Sequence, residues 1–368
     1  MIKIGIGLRN NLLYPFLLII FTFLRRILAV IISETLQFKS SLSFLALLMI
    51  FAEFITGLVI YLYQTKIITY QKMTYHDSKF KVYLLIFIAT FFDFVEYILT
   101  SYYFPKFENI SKSLDLRLGS ALTLSSFIFS YFLLQTEVFR HHKFSVKVIF
   151  ICFLMIIIVE IGFNIYYQVI NKMHFLIIFL ISISLSFIAL QNNIEKYLLE
   201  VNFINPFHLL MTEGIFGILL SIIYSYIENP IDNIVDFYQK NNKINFIYLI
   251  ICLIAYIILS GGRNSYKLLT IRLYSPMTKA IADFFLNPVL IIYYFFMGID
   301  FKFENHKNIL FFIINLILSI IIVFCGCIYS ELFIVYHLNL ERDTHREVSR
   351  RATEIEYLID DKEDFQIY

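Results

Sequence analysis

The sequence predicts an all-α polytopic membrane protein whose ten transmembrane helices form two inverted five-helix repeats. Three observations predict it. Of 368 residues, 59% are hydrophobic and only 16% charged, where soluble domains carry about 25% charged residues. Apolar runs recur at the roughly 17–25 residues needed to cross a hydrocarbon core about 30 Å thick. Short motifs of the first half also return in the second at nearly constant offset.

Taken in order, the apolar spans are 12–32, 41–63, 82–102, 119–137, 145–167, 174–192, 206–226, 245–261, 275–297 and 308–330. The first follows Lys3 and Arg9 but is interrupted by Arg25 and Arg26, with no small-residue cleavage site after it. It therefore reads as a retained helix rather than a leader, its arginines meeting a cavity or marking the helix end. The second span carries Glu53 with Gly57 one turn on, and the seventh Glu213 with Gly217. At each glycine a neighbouring backbone can approach closely, so the pair reads as packing or as a symmetric gate.

The third span places Asp93 and Glu96 three residues apart on one helix face. Such a pair can carry a coupling proton, or one of the two can bond as a neutral acid to a Ser, Thr or Tyr on a neighbouring helix. Arg117 opens the fourth span, and the loop before the fifth holds Arg140, His141, His142 and Lys143, which reads as a solvated basic loop. The ninth is the most unusual. It carries Lys279, Asp283 and Asn287 at four-residue spacing, hence on one face, followed by Pro288. A lysine and an aspartate at i,i+4 can neutralise each other, and Lys279 lies close enough to the span's start to reach the headgroups instead. Proline removes a backbone donor and kinks the helix, which suits a wall lining a solute path or a bend satisfied by a neighbour.

The segments on the N-terminal side carry nearly twice the Lys and Arg of the opposite loops, so both ends are expected in the cytoplasm. The sequon Asn109-Ile110-Ser111 falls on the far side. The organisation expected is a five-helix repeat over 1–168, a second over 169–335 and a cytoplasmic tail over 336–368, whose Glu347/Arg351 and Arg350/Glu354 spacings support a helix in water. Cys152, Cys252, Cys325 and Cys327 all lie in apolar spans and read as small hydrophobes, with no disulfide and no metal site. A net charge of +2 offers nothing to nucleic acid. No Gly-rich phosphate loop, nucleophile–base pair or metal-ligand spacing stands out, so neither enzyme chemistry nor a cofactor is expected.

The repeat rests on two matches. Arg117-Leu118-Gly119-Ser120-Ala121-Leu122-Thr123 recurs as Arg272-Leu273-Tyr274-Ser275-Pro276-Met277-Thr278, 155 residues later. Glu53-Phe54-Ile55-Thr56-Gly57 recurs as Glu213-Gly214-Ile215-Phe216-Gly217, 160 residues later. An odd number of spans per half makes the second half enter from the opposite side. That arrangement is common in secondary transporters, where two equivalent halves exchange conformations about a midplane site. Arg117 and Arg272 then stand at opposite faces, as gate clamps or as interface anchors.

Two motifs carry a family resemblance. Glu195-Lys196-Tyr197-Leu198-Leu199-Glu200 with Asn205 to Gly217 resembles the sixth-to-seventh helix junction of solute carrier family 35-like proteins. Tyr274-Ser275-Pro276-Met277-Thr278 resembles the start of their ninth helix. The chain thus resembles the drug/metabolite transporter superfamily over roughly residues 10–335. The resemblance implies a carrier of the endoplasmic reticulum, Golgi or plasma membrane, moving a nucleotide sugar or another small metabolite. The ninth span departs from the nucleotide-sugar pattern, having Lys279 alone where a Lys/Arg pair is expected.

From the residues, the candidate substrate-binding set is Glu53, Asp93, Glu96, Glu213, Lys279, Asp283 and Asn287, with Arg117 and Arg272 as gates or anchors. Acids outnumber bases in the spans, which weighs against a strongly anionic substrate. The function expected is alternating-access transport of a small polar metabolite. The alternatives are a proton-coupled carrier of neutral or cationic solutes, or a non-transporting scaffold or receptor. The expected partners are the bilayer, a small-molecule substrate, a second copy in a homodimer and a cytoplasmic protein on the tail.

Overall fold

The computed structural model describes residues 4–6, 13–32, 41–67, 76–99, 114–166, 172–225, 243–296, 306–337, 340–344 and 347–351. Its elements are β1 (Ile4–Ile6), α1 (Leu13–Val30), α2 (Ser41–Ile67), α3 (Lys79–Ile98), α4 (Leu114–Arg117), α5 (Ser120–Leu133) and α6 (Arg140–Tyr166). The chain continues through α7 (Lys172–Glu200), α8 (Pro206–Ser225), α9 (Lys243–Leu273), α10 (Pro276–Phe285), α11 (Asn287–Phe296), α12 (His306–Tyr329) and β2 (Phe333–Val335).

Polarity in this bundle is the reverse of a soluble protein's. On α6, Phe150, Ile151, Leu154, Ile158 and Ile165 form an exposed apolar stripe, and Ile247, Ile251, Ile254 and Ile258 do the same on α9. Among the described residues the largest fully buried side chain is a lysine, Lys279, at 1% exposure. Water would not tolerate so much apolar surface, but lipid does. Among the described residues, eight helical segments are long and apolar enough to cross a membrane: α1, α2, α6, α7, α8, α9, the α10–α11 pair and α12. The chain is an integral, multi-pass membrane protein. The other two expected spans, 82–102 and 119–137, fall on α3, whose 20 residues include Lys79, Lys81, Asp93 and Glu96, and on the 14-residue α5.

Helix ends follow local chemistry. Ser275 caps α10 by accepting from Thr278 N–H at 3.0 Å, and Pro276 needs no partner for its missing N–H in the first turn. Pro288 cannot donate to the carbonyl one turn back, and the span divides at Leu286, whose own N–H supplies the Phe284 carbonyl instead. The α7–α8 turn uses Phe203 at φ 52°, with Ile204 N–H reaching back to Leu198 O at 3.2 Å to close the helix end. Asn205 Oδ1 then accepts from Phe207 N–H at 2.9 Å to open α8.

The most intimate crossing is α2 on α8. A Cβ on Gly214 would lie 2.6 Å from Phe54 N and Cα, and one on Gly57 would strike the backbone of Met211. α1 packs on α9, α3 on α7 and α8, α2 on α9, α5 on α7 and α10, α1 on α10, and α6 on α12. Apolar contacts fill two main clusters: one joins α5, α6, α7, α10 and α12 around Ile149, Ile177 and Met277, the other joins α3, α7, α8 and α9 around Ile86, Leu198 and Ile271. Strands β1 and β2 pair antiparallel, Ile4 opposite Val335 and Ile6 opposite Phe333. The segments preceding α1 and following α12 therefore meet on one side of the bundle.

Some expectations need amending. α7 and α9 run well past residues 192 and 261, so that Glu195, Lys196, Arg263 and Lys267 belong to helices, not loops. His141 is not solvated: α6 begins at Arg140, and His141 is 1% exposed, 3.6 Å from Glu331. The close return of α12 into β2 covers that helix end, and His142 stacks on Tyr329 at 4.3 Å. In the tail Glu347 bonds Arg350 at 3.0 Å, three residues on, rather than Arg351. The sequon at 109–111 and Glu354 lie outside the described residues.

Candidate functional site

The polar interior is built on α9. Ser260, Asn264 and Lys267 recur at helical spacing on one face and are buried. Asn264 Nδ2 donates to Glu53 Oε1 of α2 at 2.8 Å. Lys267 Nζ stands 2.6 Å from Glu195 Oε1 of α7. Arg263, one turn before Lys267, lies 3.9 Å from Asp283 Oδ2 of α10, which also takes Lys279 Nζ at 2.9 Å. Two further carboxyls, Glu213 of α8 and Asp93 of α3, lie within electrostatic reach of Lys267. Six helices thus deliver charges to one cluster, all in a bundle with an apolar exterior.

Each charge so placed is costly in a low-dielectric interior unless paired. Lys267 and Lys279 are paired directly, and Asp283 is shared by two cations. Glu213 differs: it is 3% exposed, and its Oε1 has no hydrogen-bond partner among the described residues. On α7, Asn192 is fully buried with neither amide atom bonded among the described residues, one turn before Glu195 on the same helix face. The cluster therefore combines satisfied ion pairs with unsatisfied acceptors and an unused amide.

Of the residues singled out in the sequence, Glu53, Asp93, Glu213, Lys279 and Asp283 come together here. Glu96, half-buried, lies within electrostatic reach of Asp93, Arg263 and Arg25. Asn287 is turned elsewhere. The break at Leu286 takes it off the Lys279–Asp283 face, and its Nδ2 donates to Leu116 O of α4 at 2.7 Å. Gly119 sits against the same amide, so the interruptions of α4–α5 and α10–α11 meet each other.

The two arginines are not equivalent in their surroundings. Arg117 is 3% exposed, ion-paired to Glu160 of α6 and placed over the Phe311 ring at 5.2 Å. Arg272 is exposed, and its carbonyl, with that of Tyr274, accepts from Lys196 Nζ at 3.0 Å, closing the C-terminal end of α9.

On the side of the bundle where α3 begins, a polar latch ties α3 to α7. Tyr197 OH donates to Asp77 Oδ2 at 2.8 Å, Asn202 Nδ2 to the same oxygen at 3.2 Å, and Asp77 N–H to Asn202 Oδ1 at 3.0 Å. Lys81 Nζ completes it at 2.8 Å. Donation from Lys81 and Tyr197 holds the Asp77 carboxyl down at about 2. A second tie joins Asn205 to Gln64 of α2 at 2.9 Å.

Glu195, Asn264, Arg263 and Lys267 were missed by sequence reasoning because apolar-run counting stops where charges enter. The recurrence of Ser260, Asn264, Lys267 and Ile271 at steps of four, three and four is the signal that could have found them. Among the described residues no group of three His, Cys, Asp or Glu side chains is arranged to hold a metal ion. No protein-family model matches the chain, and no curated protein matches it significantly.

Proposed function

We infer that the protein is a secondary carrier that moves a small polar metabolite by alternating access, with the α9-centred cluster as its solute site. The observation that carries this reading is the cluster itself. Charges on α2, α3, α7, α8, α9 and α10 converge inside a membrane bundle, a costly arrangement with no stabilising advantage over apolar packing. Sites of this kind line solute and ion paths.

The helix pairings support two equivalent halves. Exchanging α1, α2, α3, α4–α5 and α6 with α7, α8, α9, α10–α11 and α12 turns α1·α9 into α7·α3, α3·α8 into α9·α2, and α5·α7 into α10·α1. The α2·α8, α5·α10 and α6·α12 contacts map onto themselves. In that scheme ten spans cross the bilayer, and pairing of β1 with β2 supports an even number of crossings with both ends on one face, which the Lys and Arg distribution makes cytoplasmic. The Asp77–Tyr197–Asn202 latch ties the two halves on that face and acts as its gate. Resemblance to the drug/metabolite transporter superfamily favours the same plan, with an endomembrane or plasma-membrane location and nucleotide sugars among the solutes to test.

The test is uptake by purified protein in vesicles against a panel of nucleotide sugars, amines and neutral sugars. Saturable flux of at least one is expected. No flux across the panel, with capture of a partner that depends on residues 336–368, would point to the scaffold instead.

A further inference from the structure

We propose that the cluster binds an organic cation, an amine or ammonium solute, in exchange for protons; this rests on the carrier reading above and names its substrate class. The charge inventory carries it. Facing one another are six carboxyls, Glu53, Asp93, Glu96, Glu195, Glu213 and Asp283, and the cations Arg25, Arg263, Lys267 and Lys279, with Arg26 within electrostatic reach of Asp283. Lys267 is held by Glu195, while Lys279 and Arg263 share Asp283. Arg25 lies within reach of Asp93 and Glu96. Glu53 and Glu213 lie within electrostatic reach of Lys267, and Glu53 of Arg263 as well, but neither forms an ion pair with a cation among the described residues.

Those two occupy repeat-related positions on α2 and α8, the helices in closest contact. Glu53 takes a neutral amide hydrogen from Asn264, and Glu213 Oε1 takes nothing among the described residues. With all six carboxyls ionised against these five cations, the cluster carries one more negative charge than positive, which is unfavourable in the bilayer interior. Two states relieve this: protonation of the carboxyls, or entry of a positive solute. Binding an ammonium to the Glu213 carboxylate releases its proton to water on the open side, so one positive charge replaces another. An anion would enlarge the imbalance if it met the carboxylates, and the cations it would need are already occupied. The unbonded Asn192 amide, on the Glu195 face of α7, is placed to bond a neutral polar part of the solute.

The test uses full-length protein in vesicles with radiolabelled tetraethylammonium and putrescine as cationic probes, and UDP-glucose and glucose as anionic and neutral ones. The expected result is saturable uptake of a cationic probe, accelerated at least fivefold by an acidic vesicle interior. Glu213→Gln should abolish saturable cation uptake together with its acceleration by protons, and Glu213→Asp should restore both, with unchanged thermal unfolding of both variants showing that they fold. Should Glu213→Gln misfold, a thermal shift of the wild-type protein by the cationic probe, increasing with pH, is the supporting outcome, and its absence is contrary. Saturable flux of UDP-glucose or glucose without either cation overturns the charge assignment while leaving the carrier intact. Cation flux indifferent to the proton gradient overturns the exchange, and no flux of any probe removes the carrier on which the proposal stands.

Discussion

Lys267 and Glu195 form an ion pair 2.6 Å long in which the lysine side chain is 7% and the glutamate 0% exposed. Breaking such a pair from one side strands a buried charge, whereas removing both leaves an apolar contact. Lys267→Met is expected to destabilise the protein by about 3–5 kcal/mol, and Lys267→Met with Glu195→Met to recover most of that loss. Unfolding in detergent measures both. A double variant no more stable than the single one would contradict the pairing.

The α2–α8 crossing depends on absent side chains. Gly214→Val inserts carbon where the Phe54 backbone lies only 2.6 Å from the position a Cβ would take, so a loss of about 1–3 kcal/mol is expected. Ile223→Val, on a lipid-facing surface at 65% exposure, should change stability by no more than about 0.5 kcal/mol. Equal effects of the two would contradict the close crossing.

Asn287 joins the two helix interruptions through its bond to Leu116 O at 2.7 Å. Asn287→Ala leaves that carbonyl with only the Gly119 N–H at 3.2 Å, so the loss is that of one buried hydrogen bond, about 0.5–1.5 kcal/mol, and the contact between α4 and α11 loosens. Thermal unfolding should fall accordingly. An unchanged transition would show that the amide is dispensable there.

The Asp77 latch is the part of the molecule with a readable pH dependence. Its carboxyl is held at about 2, below the usual 3.8. A depressed carboxyl stabilises the folded state fully above its unfolded value and loses that contribution as pH falls toward the folded one. Asp77→Asn should therefore lower the thermal transition at pH 5–7, and the gap to wild type should close as pH falls from about 4 to about 2. A gap that is constant over this range would mean that the charge does not hold the latch.

Much of this architecture is legible in the sequence, because membrane helices announce themselves as long apolar runs. Glu53, Asp93, Glu213, Lys279 and Asp283 stand out there for the same reason, as charges inside such runs. Arg263, Lys267 and Glu195 do not. They lie in the last turns of α7 and α9, where polar composition imitates a loop even though the helices continue into the bundle. Asn287 shows the opposite failure: its spacing fits the Lys279–Asp283 face, but the Pro288 break rotates it onto α4. Partner choice across helices, such as Arg117 with Glu160, depends on packing angles that no local pattern encodes.

Alternating access around the α9 cluster has a direct kinetic signature in counterflow. Vesicles holding the purified protein and a high concentration of an unlabelled transported solute should transiently accumulate the labelled form above its external concentration. Alternating access predicts this overshoot, and its loss in Lys267→Met. Labelled solute that merely equilibrates, with no overshoot and no saturation, would contradict it.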